Sequence, residues 1–372
     1  MKRIQLSAIS SDLKKKMVFI VGPRQVGKTW IAKEIAKNYS RPLYLNYDSA
    51  DDRETMRAES WQKDVDLIIF DELHKMRGWR NYIKGVYDTK PSTMHIIVTG
   101  SARINVFRKV GDSLAGRYFV HHILPFSLKE ADFAEAGFVL SDFLERGGFP
   151  EPLLHKEDAS RWRALYVENL IRQDVLDFAT VDDIRALSEV FKLLRTKVGS
   201  PISYSSLARD VGISPMTIKR YIALLEELYI VFSIRPYTKK IARAILKEPK
   251  IYFYDTGLVI GDDGAKLENH TAVSLLKFAL FKKDVSGEEH EVKYIRTKEG
   301  KETDFVLTKD TLPLAFYEVK NSDKALSKNL VYFVEKYNVL GIQLVRDLRY
   351  DTKPHPHIDI RDAEKYLKSL DA

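Results

Sequence analysis

A glycine loop near the N-terminus constrains the fold of this chain more than any other feature. An apolar run, Met17–Val21, leads into a segment that matches the pattern G-x-x-x-x-G-K-[ST], and apolar residues at helical spacing follow at once. Strand, glycine loop and helix in this order predict a loop whose backbone N–H groups enclose phosphate oxygens at the positive end of a helix. In such a loop the lysine reaches the β- and γ-phosphates and the threonine hydroxyl binds Mg²⁺. The loop consists of Gly22, Pro23, Arg24, Gln25, Val26, Gly27, Lys28 and Thr29.

Acidic residues follow a second apolar run. Val65–Phe70 has the composition of a buried strand and ends in Asp71 and Glu72, at the edge where open α/β sheets bind their ligands. We expect Asp71 to hold Mg²⁺, directly or through water, and Glu72 to orient and deprotonate the water that attacks the γ-phosphate. The paired acids therefore predict hydrolysis as well as binding.

Ser101 and Arg117 are further candidate catalytic residues. A third apolar run ends at Thr99 and Ser101, whose hydroxyls either sense the γ-phosphate or cap the helix that follows. Arg117 either reaches the nucleotide of a neighbouring subunit as an arginine finger, which implies a homo-oligomer, or forms a surface ion pair. The sequence leaves both choices open.

Five segments of the chain resemble, in order, the motifs of prokaryotic AAA-type ATPases. Such proteins usually carry a C-terminal domain of unknown function that looks like a restriction-endonuclease fold, so the resemblance covers nearly the whole chain. It implies binding of ATP and its hydrolysis, and it supplies no agreed substrate. The segments are residues 22–29, Phe70–His74, Thr99–Ser101, Ser113–Arg117 and Leu124–Ser127.

Length and sequence punctuation divide the chain into four predicted domains of an α/β fold. A chain of 372 residues, 45% apolar and 30% charged, is long enough to build more than one core. Alternating strand-like and helix-like segments predict a parallel sheet in the first domain. The predicted domains are a P-loop ATPase domain of the AAA type (1–135), a helical lid or linker bundle (136–200), a winged helix-turn-helix (201–260) and a restriction-endonuclease-like α/β domain (261–372).

Composition indicates the cellular compartment of the protein and the classes of partner that it binds. The absence of cysteine excludes disulfides and cysteine-ligated zinc, which fits the reducing cytosol. There is no apolar stretch long enough to span a bilayer and no apolar core of a signal peptide. The sequence therefore predicts a cytoplasmic protein without a membrane partner. Its net charge of +8 favours a polyanionic partner such as DNA.

Residues 204–221 have the pattern of a helix-turn-helix, with Ser214 as the cap of the second helix. Lys219 and Arg220 are predicted to point outward, where a recognition helix meets a groove of DNA. The segment from Ser233 to Lys250 carries six basic residues and one acid, a net charge of +5. Contact with DNA phosphates and a winged helix used for packing or protein contacts both stay open. The basic candidates in that segment are Lys239, Lys240 and Arg243.

Three residues near the C-terminus, Asp304, Glu318 and Lys320, resemble the D…E-x-K signature of nucleases. The period of a strand places Glu318 and Lys320 on one face, and Asp304 is predicted on the adjoining strand. The carboxylates of Asp304 and Glu318 could therefore share a divalent ion while the ammonium of Lys320 polarises water or steadies the phosphate. Glu268, on a predicted helix, would be an extra carboxylate. An active nuclease and an inherited, inactive fold both stay open.

These features together predict a Mg²⁺-dependent ATPase whose nucleotide cycle controls a winged-helix and nuclease-like module acting on DNA. The alternative is a nucleotide-regulated signalling switch that binds protein partners and has an inactive nuclease-like domain. DNA binding that weakens steeply with salt would separate the two, because phosphate contacts release counterions.

Overall fold

The computed structural model describes residues 3–61, 64–100, 114–132, 137–171, 184–238, 248–322 and 325–370. The chain divides into two compact units, residues 2–124 and residues 125–372. The domain boundaries predicted at 135, 200 and 260 stay predictions. Among the described residues, no helix combines the length and the apolar character that crossing a membrane requires.

The N-terminal unit is built on a five-stranded sheet in the order β2-β3-β4-β1-β5, and every pairing is parallel. This confirms the predicted α/β domain with a parallel sheet. Its helices are α1 (Leu6–Leu13), α2 (Lys28–Ala36), α3 (Ala50–Ala58) and α4 (Trp79–Thr89). Its strands are β1 (Met17–Val21), β2 (Pro42–Asn46), β3 (Leu67–Asp71), β4 (His95–Gly100) and β5 (Tyr118–His122).

Burial explains why the strands of this unit are continuous apolar runs. Every residue of β1 and β3 is buried, as expected for a sheet that is covered on both faces. On one face, Phe19 and Phe70 pack in a core with Trp79 and Ile83 of α4. Since β1, β3 and β4 are neighbours and parallel, their carboxyl ends meet at one edge of the sheet.

The C-terminal unit begins with helices. α5 (Leu128–Asp132), α6 (Leu140–Arg146), α7 (Pro150–Leu154), α8 (Ala159–Asn169) and α9 (Ile184–Arg195) precede α10 (Tyr204–Val211) and α11 (Pro215–Glu227). The turn between the last two helices contains Gly212, which has a φ of +78°. Ser214 caps α11, because its side chain accepts a hydrogen bond from the backbone N–H of Thr217 at 3.1 Å. Strands β6 (Val231–Ile234) and β7 (Lys250–Phe253) then pair antiparallel.

A six-stranded mixed sheet, in the order β12-β13-β11-β10-β9-β8, forms the rest of the C-terminal unit. A helix-lined core lies against it, where Val306 and Phe316 contact Phe333 and Val334. The predicted C-terminal sheet domain is therefore present. Its strands are β8 (His290–Arg296), β9 (Glu302–Lys309), β10 (Leu312–Lys320), β11 (Leu340–Val345), β12 (Thr352–His355) and β13 (Ile358–Asp362), and its helices are α12 (Asp263–Ser286), α13 (Lys328–Tyr337) and α14 (Ala363–Ser369).

Candidate functional site

The glycine loop connects the end of β1 to the start of α2. Gly22 has a φ of +145°, and a Cβ atom there would lie 2.0 Å from the carbonyl oxygen of Ile123. Gly27, which precedes the first residue of α2, has a φ of +95°. Both positions therefore require glycine, for a close approach at the first and for a left-handed backbone at the second. The loop adopts the strand-loop-helix geometry that the sequence predicts.

Lys28 is buried at the beginning of α2 and is 7% exposed. Its ammonium donates hydrogen bonds to the carbonyl oxygens of Gly22 at 3.1 Å and Pro23 at 2.5 Å. Burial lowers the pKa of Lys28 to about 8, and the neighbouring carboxylates of Glu72 and Asp71 partly oppose this shift. The loop thus holds a lysine whose charge is desolvated and aimed at the loop backbone.

Asp71, the last residue of β3, accepts hydrogen bonds from three hydroxyl groups. The Oδ2 atom accepts from Thr29 at 2.8 Å and from Tyr44 at 2.6 Å, and Oδ1 accepts from Thr99. Burial and the bond to Asp71 raise the pKa of Tyr44 above its ordinary value, so this hydroxyl keeps its proton. Tyr44, on β2, was not among the predicted site residues.

Glu72 has an unusual backbone conformation for a residue other than glycine, with a φ of +56°. Its N–H donates to the carbonyl oxygen of Thr99 at 3.2 Å, which anchors it beside β4. The buried Oε2 atom accepts no hydrogen bond from the described residues, although His74 Nε2 lies 3.5 Å away and Lys75 Nζ 3.7 Å away. Burial raises the pKa of Glu72, against the opposing charges of Lys75 and Lys28. A carboxylate that has a raised pKa, and an oxygen that accepts no hydrogen bond from the described residues, is suited to accepting a proton.

These side chains fit a phosphate group and a hard divalent cation. The glycine loop runs into the first turn of α2, so the N-terminal N–H groups of that helix lie beside Lys28 and Thr29 and can bind a phosphate. Thr29 and Asp71 place a hydroxyl and a carboxylate within hydrogen-bond distance of each other. Oxygen atoms of this kind are the ligands that Mg²⁺ prefers.

Of the two remaining predicted catalytic residues, Arg117 alone lies in the described part of the chain, and it does not join this cluster. Ser101 lies outside the described residues. Arg117 precedes β5, and its carbonyl oxygen accepts from the N–H of Met17, so it lies at the amino edge of the sheet, opposite the glycine loop. Its guanidinium forms a two-bond ion pair with Asp88, at 2.8 Å and 3.1 Å. This contact corresponds to the ion-pair alternative, and the arginine finger stays a prediction.

In the C-terminal unit, the structure brings together acids around a lysine that the sequence analysis assigned elsewhere. Lys250, at the start of β7, is 1% exposed. Its Nζ atom lies 2.7 Å from Glu302 Oε1, 3.5 Å from Glu268 Oε1 and 4.0 Å from Asp304 Oδ1. The hydroxyl of Tyr252 also donates to Glu268, at 2.7 Å. The placement of Lys250 in a DNA-binding segment is therefore wrong, because a buried ammonium cannot contact DNA phosphates.

Asp304, Glu318 and Lys320 lie as the D…E-x-K pattern predicts, on adjacent strands β9 and β10. Asp304 Oδ2 accepts from the N–H of Val319 at 2.8 Å, and Lys320 Nζ lies 2.9 Å from Glu318 Oε1. Burial and the nearby charges of Glu268 and Glu318 raise the pKa of Asp304 well above its ordinary value. Over the described ranges, no group of three or more acidic or histidine side chains has the geometry to hold a metal ion. The metal-binding role of Asp304 and Glu318 stays a prediction.

The second helix of the helix-turn-helix has an exposed side. Lys219 and Arg220 are exposed, and Met216 near the start of α11 is 73% exposed. The guanidinium of Arg220 lies 5.7 Å from the ring of Tyr221. Three predicted DNA-binding residues, Lys239, Lys240 and Arg243, lie outside the described residues.

Comparisons with known proteins give two family matches. Residues 14–131 match the family described as AAA domain, and residues 138–265 match a domain of unknown function, DUF8612. An uncharacterized protein of Mycobacterium tuberculosis is 22% identical over 326 residues, which cover 84% of this chain and 72% of that protein. An uncharacterized protein of Methanocaldococcus jannaschii is 25% identical over 387 residues, covering 85% of this chain and 78% of that protein.

Solved structures give weaker likenesses. A Walker-type ATPase of Pyrococcus abyssi has a TM-score of 0.43 at 14% identity, covering 68% of this chain and 93% of that one. The RuvB Holliday junction branch migration motor of Thermotoga maritima has a TM-score of 0.33 at 16% identity, covering 66% and 93%. Residues 14–131, which match the AAA domain family, contain the parallel sheet and the glycine loop, so this part of the chain resembles an AAA-type P-loop domain.

Proposed function

We propose that this chain is a Mg²⁺-dependent ATPase whose nucleotide cycle controls a DNA-binding module in its C-terminal unit. One observation carries the first half of this proposal. Lys28 and Thr29 at the end of one strand, and Asp71 and Glu72 at the end of another, converge at the same edge of the parallel sheet, with Thr29 bonded to Asp71 at 2.8 Å.

Each group of this cluster has a distinct task in phosphoryl transfer to water. Lys28 supplies positive charge for the phosphates, and Thr29 and Asp71 supply oxygen ligands for Mg²⁺. Mg²⁺ bound there would neutralise phosphate charge. Glu72 orients the attacking water and accepts its proton, at the buried Oε2 atom that accepts no hydrogen bond from the described residues.

Two substitutions separate binding from hydrolysis. Lys28→Ala should abolish nucleotide binding or turnover, whereas Glu72→Gln should bind nucleotide normally and lose turnover by a factor of about 10² to 10⁴, typical of a general base. Lys37→Ala, at an exposed lysine that follows α2, is the matched control and should leave both unchanged. ATP turnover and equilibrium nucleotide binding are measured on the same preparations. Wild-type turnover in both test variants would refute the assignment.

The second half of the proposal concerns the helix-turn-helix, which we interpret as a winged helix. Lys219 and Arg220 are exposed on its second helix, where they are accessible to DNA phosphates. Replacing both with Glu should weaken binding to all DNA sequences alike. The slope of log affinity against log salt should become shallower by about 2, one for each lost phosphate contact.

The matched control replaces Lys156 and Lys283 with Glu, a pair of lysines 61% and 53% exposed outside the helix-turn-helix. It changes the net charge equally and should leave the salt slope unchanged. Equal loss of DNA affinity in both double variants would show a general charge effect. Unaltered affinity in the Lys219 and Arg220 variant would instead favour the signalling switch, in which the same surface binds a protein.

A further inference from the structure

The carboxylates of the nuclease-like region surround an ammonium group that belongs to the chain itself. Lys250 Nζ lies within 4.0 Å of carboxylate oxygens from Glu268, Glu302 and Asp304, which are contributed by one helix and one strand. A divalent cation bound by these acids would need oxygen ligands at about 2.0 to 2.6 Å. The ammonium and such a cation cannot be bound between the same oxygen atoms at once.

The charges around Lys250 favour its protonated form. Burial alone would lower the pKa of Lys250, but Glu268, Asp304 and Glu302 outweigh burial and raise it. Two further cations neutralise the outer oxygens of the cluster. Arg296 Nη1 lies 3.4 Å from Glu302 Oε2, and Lys320 Nζ lies 2.9 Å from Glu318 Oε1. The chain therefore supplies positive charge to the acids that a nuclease would use for its metal.

Glu318 is an independent indication that this region can bind a cation. Its side chain is 7% exposed, and its Oε2 atom is buried and accepts no hydrogen bond from the described residues. The next residue, Val319, donates its N–H to Asp304 Oδ2 at 2.8 Å, so Glu318 and Asp304 are neighbours on adjacent strands. A buried, unused carboxylate oxygen is costly unless it faces a cation or a proton donor.

We propose that Lys250 is a built-in counter-ion that takes the place of the divalent cation, so that the C-terminal unit is a latent metal site without nuclease activity. Removing the ammonium should allow Asp304, Glu318 and Glu268 to move together and form a divalent-cation site. This proposal does not depend on ATP hydrolysis, because every group it invokes lies in the C-terminal unit.

The test counts bound Mn²⁺ on the full chain by electron paramagnetic resonance. Lys250→Met keeps most of the side-chain volume and removes the charge. It should bind one more Mn²⁺ per chain than wild type, and adding Asp304→Asn should abolish that extra site. Lys293→Met, which removes an ammonium that pairs with Glu291 on the neighbouring strand β8, is the matched control and should not create the site. A folded Lys250→Met chain without an Asp304-dependent Mn²⁺ would overturn the proposal.

Wild type and the single Asp304→Asn variant decide the question if Lys250→Met does not fold. The proposal expects them to bind the same number of Mn²⁺ ions and to leave duplex DNA intact with Mn²⁺ or Mg²⁺. A Mn²⁺ ion or a DNA cleavage activity that wild type has and Asp304→Asn lacks would show that the metal binds despite Lys250, and the proposal would be wrong.

Discussion

The buried lysine of the glycine loop should make nucleotide affinity sensitive to pH in a range where an ordinary lysine does not titrate. Burial lowers the pKa of Lys28 from 10.5 to about 8, a shift of about 2.5 units. At 1.36 kcal/mol per unit, this corresponds to about 3 kcal/mol against the charged form in the free protein. A bound polyphosphate favours the ammonium, so binding above pH 8 must take up a proton.

We therefore expect nucleotide affinity to be nearly constant at neutral pH and to fall about tenfold for each unit above the pKa of Lys28. Titration with a fluorescent ATP analogue across this range measures the fall. Calorimetry in two buffers of different ionisation enthalpy should show proton uptake near zero at neutral pH and approaching one per nucleotide at about pH 9. Lys28→Arg, whose charge does not titrate, is the control and should bind weakly but without this pH dependence.

Stability should change in the opposite direction over the same interval. The pKa of Lys28 is lower in the folded protein than in the unfolded chain, so the unfolded chain binds more protons between about pH 8 and the ordinary value of 10.5. The free energy of unfolding therefore rises with pH in this window. Below the window, the folded protein bears the full cost of burying a charged Lys28. Relative to Lys28→Met, wild type should gain up to about 3 kcal/mol. A nucleotide affinity that stays constant up to pH 10 would refute the reasoning. So would a free energy of unfolding that changes with pH by the same amount in wild type and in Lys28→Met.

Three further substitutions test individual contacts. Gly22→Ala places a Cβ 2.0 Å from a carbonyl oxygen and should lower the free energy of unfolding by about 1–3 kcal/mol or more, whereas Gly85→Ala, with open space around it, should not, as denaturant unfolding will show. Tyr44→Phe removes a hydroxyl bonded to Asp71 and should raise the Mg²⁺ concentration needed for half-maximal ATP turnover about 10-fold to 100-fold. The melting temperature should change little. Arg3→Met removes bonds from a buried guanidinium to two carbonyl oxygens, one of them in the glycine loop, and should raise the KM for ATP in steady-state assays, with partial rescue by Arg3→Lys.

The glycine loop and the paired acids were predictable because their signals are local. Strand, loop and helix follow each other within residues 17–36, and Asp71 follows an apolar run directly. Tyr44 escaped prediction because its role depends on strand order, which places β2 beside β3 although a helix separates them in sequence. A tyrosine in a short strand is otherwise ordinary.

Lys250 shows why counting charges along a segment misleads. It closes a stretch with a net charge of +5, but it also begins the apolar run that forms β7, and that second pattern decides its burial. Its partners Glu268, Glu302 and Asp304 come from later in the chain, so no local pattern connects them to it. For Arg117, the sequence indicated a charged contact but could not indicate which edge of the sheet carries it.

The carboxylates at the end of β3 and those around Lys250 have different hydrogen-bond and ion-pair partners. This difference indicates which of the two sites binds a divalent cation more tightly. The carboxylate of Asp71 accepts hydrogen bonds from three neutral hydroxyl groups, which orient its oxygens. Asp304 instead lies 4.0 Å from a buried ammonium, and burial with nearby carboxylates raises its pKa. A cation that binds Asp304 must compete with the buried ammonium of Lys250, whereas a cation that binds Asp71 replaces hydrogen bonds from hydroxyl groups. Metal affinity should therefore be higher at the end of β3 than at the acidic cluster around Lys250, although the latter contains more acids.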